Sequence, residues 1–69
     1  MNPNIQTEVD ASYLYSVLAK HEEDTNVAEI FRQMSDIEKN HALAFMAKHH
    51  IPAEPFPTPS GRAKMLQFI

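Results

Sequence analysis

The sequence predicts an all-α protein built on an antiparallel hairpin of two helices. Three observations lead there. Apolar residues recur at helical spacing along two stretches, and a short polar break separates them. Four of the five prolines and the only glycine are confined to PAEPFPTPSG, residues 52–61.

The first helix extends to about Glu23 and carries Val9, Ala11, Leu14, Tyr15, Val17 and Leu18 at helical spacing. Two starts compete. Asn2 can cap a helix with Pro3 in its first turn, and Thr7 with Asp10 makes a loose capping box. The choice decides how deep Glu8 lies within the helix. Asp24-Thr25-Asn26 breaks the pattern, and Asn26 followed by Glu29 predicts an N-cap with its reciprocal acid. The second helix then runs to about His50, its apolar side marked by Val27, Ile30, Phe31, Met34, Ile37, Leu43 and Phe45. Ile51-Pro52 ends it, because the residue before a proline is pushed out of helical geometry. So short a connection sets the two helices antiparallel. Residues 1–51 are therefore expected to form the hairpin and 52–61 a Pro-rich linker. Residues 62–69 begin a further amphipathic helix or form a truncated tail.

Size and composition narrow what such a chain can be. Sixty-nine residues bury little surface, so stability calls for a disulfide, a metal or a partner chain. The absence of cysteine excludes disulfides and thiolate zinc sites. A net charge of −3 provides no basic stripe for nucleic acid. The longest apolar run, residues 42–47, is far short of the roughly 20 residues that span a bilayer. No basic start and apolar block mark a secretory signal, so the expected location is the cytoplasm.

The chemistry concentrates in SDIEKNHALAF, residues 35–45. With Met34 at the middle of the apolar stripe, Glu38 lies about 40° to one side and His41 about 20° to the other. Both fall within a buried face at least about 100° wide. Counted from Thr25 as the hairpin midpoint, Glu8 is 17 residues before and His41 is 16 after, which puts them at one height on adjacent helices. Glu8 shares its side of the first helix with Ala11, Ser12, Tyr15, Leu18 and Ala19. Two carboxylates and one imidazole thus converge, and burying an ion costs several kcal/mol unless it is compensated. Lys20, Lys39 and Lys48 all point elsewhere, so a metal cation is the natural compensator. Oxygen-rich ligation with one imidazole suits Fe or Mn. Two helices cannot enclose such a site, but two hairpins related by a two-fold axis make a four-helix bundle. Its core would hold four carboxylates and two imidazoles, a di-metal carboxylate set.

The ordered residues Glu8, Leu14-Tyr15, Leu18-Ala19, Glu22 and Glu38-Lys39-Asn40-His41-Ala42 resemble the first helical hairpin of the rubrerythrin-like branch of the ferritin-like superfamily. The likeness is closest to the ferritin-like domain at the N-terminus of some vacuolar-iron-transporter-family membrane proteins, and it runs without gaps over roughly residues 8–45. It implies that Glu8, Glu38 and His41 are the iron ligands and the catalytic residues, with Glu38 bridging two metals. It also implies two Fe per dimer, with Mn fitting the same donors. The activity implied is oxidation of Fe(II) to Fe(III) by O₂, for iron storage or detoxification. The Pro-rich stretch followed by Arg62-x-Lys64-x-Leu66 resembles the passage into that family's second hairpin, which is missing here. The chain is then either a truncated first half, such as the cytoplasmic part of a membrane protein, or of the short encapsulated-ferritin type. That type builds its site across a homodimer inside a protein shell. No rubredoxin-like cysteine quartet is present.

Plainer readings stand beside these. Glu38 and His41 can form a metal-free polar patch between helices, and Glu8 can be a first-turn carboxylate favoured by the helix dipole. Tyr15 reads as a core tyrosine or as a neighbour of the ligands. Glu22, Glu23 and Asp24 read as a solvated charge run or a cation-uptake point. His21, His49 and His50 read as surface groups or a secondary metal site. The rival function is a non-catalytic helical interaction module or a metal-responsive assembly domain.

Overall fold

The structure, a computed structural model, describes residues 3–66. It is all-α, with α1 over Pro3–His21, α2 over Thr25–Lys48 and a short α3 over Gly61–Leu66. α1 and α2 pack side by side as an antiparallel hairpin.

α1 begins at Pro3, a residue suited to a first turn because its missing N–H would find no partner there. Asn2, one of the two competing caps, lies outside the described residues, and Thr7, the other, lies within the helix. The early start settles the position of Glu8. It sits in the second turn, within reach of α2, and is not a first-turn carboxylate.

The expected cap of α2 is corrected. Asp24, not Asn26, is the N-cap, its Oδ1 accepting the N–H groups of Asn26 at 2.9 Å and Val27 at 3.1 Å. A carboxylate carries a full charge to the positive end of the helix and makes stronger hydrogen bonds than an amide does. The Asp24 N–H is in turn accepted by Glu22 Oε1, so part of the acidic run builds the turn.

α2 ends at Lys48, two residues before the expected boundary. The His50 N–H donates to Ala47 O at 3.2 Å and the Ile51 N–H to Met46 O at 2.8 Å. This pair of bonds is a Schellman motif, which needs a left-handed residue at His50, and φ there is 58°. Ile51 is thereby turned back toward Met46, and Pro52 follows where a helix cannot continue.

The helices approach closely because small residues line their contact. Ala19, Ala28 and Ala42 are buried, and Ser35 Oγ donates to Ser12 O at 2.7 Å. Met46 is the largest fully buried side chain, worth about 1.5–3 kcal/mol in burial. Tyr15 stacks on Phe31 with ring centroids 6.3 Å apart, which places it in the helix–helix contact.

The apolar side of α2 is wider than α1 can cover. Ile30 and Ile37 remain 53% and 50% exposed, and Leu18 of α1 is 47% exposed. A single neighbouring helix shields only a narrow arc, and these three residues lie beyond it.

The Pro-rich stretch has no regular secondary structure but does not hang free. It folds back across the hairpin, with Lys39 Nζ 5.5 Å from the centre of the Phe56 ring. Farther on, Gln6 Nε2 donates to Thr58 O at 3.1 Å. The Ser60 N–H and hydroxyl donate to the two oxygens of Asp10, at 2.9 and 2.7 Å. The Ser60 hydroxyl also accepts the Ala63 N–H, capping α3, and Ala63 is buried.

Candidate metal centre

Glu8, Glu38 and His41 come together as the helical counting predicts. One ligand atom from each lies within 4.8 Å of the others. α1 presents Glu8, and one turn of α2 presents Glu38 and His41 three residues apart on the same side. His41 Nδ1 is 2.9 Å from Glu8 Oε2 and 3.7 Å from Glu38 Oε1. Nδ1 is therefore the imidazole nitrogen turned toward the carboxylates, and the one that would face a cation.

The electrostatics are those of a site short of positive charge. Burial, then the hydrogen bond and the negative charge of Glu8, push the Glu38 carboxyl above its ordinary 4.5, while His41 pulls it partly back. Two carboxylates this close oppose each other's ionisation unless a cation lies between them. Among the described residues no Lys or Arg pairs with either carboxylate, and their side-chain partner is the His41 ring.

The layer is open on one side. Glu8 and Glu38 side chains are 25% and 23% exposed and that of His41 is 60% exposed, so one hairpin leaves the imidazole largely uncovered. The inner side is closed, since Val9 beside Glu8 and Ala42 beside His41 are both buried. Two carboxylate oxygens and an imidazole nitrogen with one open flank suit a hard or borderline cation that keeps coordination positions for further ligands.

The other histidines stay apart from this group. His49 stacks on Phe45 with centroids 4.2 Å apart, and His50 occupies the left-handed position of the α2 terminus. Among the described residues, Glu8, Glu38 and His41 form the metal-capable cluster.

Sequence reasoning missed Asp10. Burial opposes its ionisation, but hydrogen bonds from the Ser60 N–H, Gln6 and the Ser60 hydroxyl outweigh burial and hold its carboxyl below the ordinary 3.8. A signal was present in Ser60-Gly61-Arg62, a serine set to cap the amphipathic stretch after it. The partner 50 residues earlier was not visible from that signal.

Antiparallel helices that meet through a Glu on one and a Glu-x-x-His on the next define the ferritin-like class. Within it the chain belongs to the rubrerythrin family, whose family model matches residues 1–51. No curated protein and no solved structure is matched. No helix among the described residues is long and apolar enough to cross a membrane.

Proposed function

We propose that this chain is a di-iron protein whose site is completed by a second copy of itself, and that it oxidises Fe(II) to Fe(III) with O₂ for iron storage or detoxification. The observation that carries the reading is the three-ligand cluster left open on one flank. Each hairpin offers two carboxylates and one imidazole, so a two-fold pair offers the four carboxylates and two imidazoles of a di-metal carboxylate centre.

The open flank also bears the means of closing it. Ile30, Ile37 and Ala44 recur every seven residues along α2, and Leu18 lies seven residues after Ala11 on α1. Seven-residue spacing of exposed apolar side chains is the seam by which helices pair at shallow angles. A second hairpin laid on that seam covers Ile30, Ile37 and Leu18 and the exposed ring of His41 together.

Fe(II) is the substrate. Carboxylates favour Fe(III) over Fe(II) and so lower the potential, and O₂ takes up the electrons released. Mn(II) fits the same donors. The open flank suits either resemblance, the covering hairpin coming from another copy in the encapsulated type and from the same chain in the half-domain reading.

Native mass and metal content of the protein, followed by Fe(II) addition in air, test this directly. The expected result is a dimer with two irons and a rise in near-ultraviolet Fe(III) absorbance. A dimer that forms on metal addition without oxidation would instead establish a metal-responsive assembly domain. A monomer that takes up no metal would end the proposal.

A further inference from the structure

The segment 52–60 touches both helices next to the metal-capable cluster, on the side away from it. Phe56 meets Lys39, one residue after Glu38 and about 100° farther around α2. Lys39 and Leu43 line a shallow groove with Ala53, Glu54, Pro55 and Phe56. Ser60 holds Asp10, two residues after Glu8 and about 200° around α1. One stretch of chain therefore spans the back of the hairpin at the height of the ligands.

The hairpin needs such a tie. Its covalent link is at residues 22–24, and Glu8 lies 13 residues, about 20 Å, from the end of α1 at His21. Over about 20 Å, a splay of about 5° between the helices moves the ligands apart by about 1.7 Å. A metal site tolerates misplacement of about 0.5 Å. Between the ligands and the turn the contact rests mainly on Ala19, Ala28, Ser12 and Ser35, with the Tyr15–Phe31 stack as its bulky pair.

We propose that residues 52–60 are a bracket that sets the distance between Glu8 and the Glu38/His41 turn, with Asp10 as its positioning residue. Residues 52–60 lie beyond the residues matched by the family model, whereas Asp10, which they hold, lies within them. Its effect on metal binding rests on the reading of the site given above, whereas its effect on the metal-free geometry does not.

The test uses the full chain with Asp10→Ala, Ser60→Ala, the double variant and Asp10→Asn. Asn keeps an acceptor toward the Ser60 N–H and a donor toward its hydroxyl. Two readouts are taken: Co(II) affinity with its visible spectrum, and the His41 ring nitrogen shifts of the metal-free protein. Each alanine variant is expected to weaken Co(II) binding by about 10–100-fold, the usual effect of losing a group that orients ligands, and to alter the spectrum. The double variant should be no worse than either single one, because both cut the same tie. Asp10→Asn should restore the spectrum and most of the affinity. The His41 shifts should move in the alanine variants even without metal, as the Nδ1 contact with Glu8 loosens. Helicity by circular dichroism confirms that the variants fold. Unchanged Co(II) spectrum and unchanged His41 shifts in Asp10→Ala would overturn the bracket. A wild-type chain that binds no Co(II) would overturn the metal reading, and the His41 shifts would still decide whether the bracket sets the geometry.

Discussion

His41 Nδ1 and Glu8 Oε2 stand 2.9 Å apart although 33 residues separate them in sequence. The contact joins the two helices through ionisable groups at a level where apolar side chains would serve stability better. An imidazole and two carboxylates at that level form a polar layer that a cation would complete. Replacing His41 with Ala should therefore reduce Fe(II) affinity by more than the roughly 10–100-fold lost when only an outer partner of a ligand is removed. Glu38→Ala should do the same. Asn40→Ala, an exposed change in the same turn, should stay within about twofold. Anaerobic titration calorimetry reads all three.

The raised Glu38 carboxyl makes stability depend on pH in a direction opposite to the common one. The folded chain holds a proton there that the unfolded chain has released above about 4.5. Between that value and the folded one the native state binds more protons, so the metal-free protein loses stability as pH rises through the window. Asp10 has the opposite sign. Its carboxyl is held below 3.8, so its contribution is present above that value and is lost as pH falls through the folded one. The melting temperature of the metal-free protein should fall as pH drops below 3.8 through the folded Asp10 value and decline as pH rises above 4.5 through the folded Glu38 value. Glu38→Gln should abolish the decline. Metal affinity should rise with pH over the same range, because a cation competes with the Glu38 proton.

How much of this was legible beforehand follows from what each feature depends on. The meeting of Glu8 with His41 could be counted from the sequence because helical rise is rigid and the connection is short. The same counting put Ile30 and Ile37 on the apolar side, but it could not say that one neighbour would cover only part of that side. The cap was displaced by two residues because Asp24 and Asn26 both qualify by type, and charge at the helix end decided between them. Asp10 was invisible for a different reason. Its partner Ser60 is reached through an irregular stretch with no period to count along.

The α2 terminus offers a prediction about stability alone. His50 holds φ at 58°, a conformation that costs an L-residue roughly 1–2 kcal/mol and costs glycine nothing comparable. No glycine marked this end, so proline alone signalled it. His50→Gly should stabilise the fold by about 0.5–1 kcal/mol, the loss of chain entropy offsetting part of the gain. In a chain of this size that is a rise of roughly 2–8 °C in melting temperature. Oxidation of Fe(II) should not change, since His50 lies outside the ligand cluster.

The cap at the other end of α2 separates two residues that sequence alone confuses. Asp24→Ala removes the acceptor of two backbone N–H groups and should cost about 1 kcal/mol, up to about 2. Asn26→Ala removes no capping bond and should stay within about 0.5 kcal/mol. Urea unfolding of the two variants, compared at equal slope, measures the difference.

The open flank makes the strongest demand on the proposed assembly. Ile37 directly precedes Glu38 and is half exposed on a single chain, with Ile30 two turns before it and equally bare. If a second copy closes over the ligands, Ile37 is buried there and a charge in its place is isolated from water. Ile37→Glu should then weaken the dimer by at least about 30-fold, the effect of losing a central contact worth about 2 kcal/mol. Asp36→Lys, a change of charge about 100° around the same helix from Ile37, should leave the dimer intact. Sedimentation velocity across a concentration series distinguishes the two. The metal should follow the assembly: monomeric Ile37→Glu retains all three ligands of its own chain yet should bind Fe(II) more weakly and fail to oxidise it. Full oxidation by a monomeric Ile37→Glu would show that one hairpin suffices, and the second copy would have no part in the chemistry.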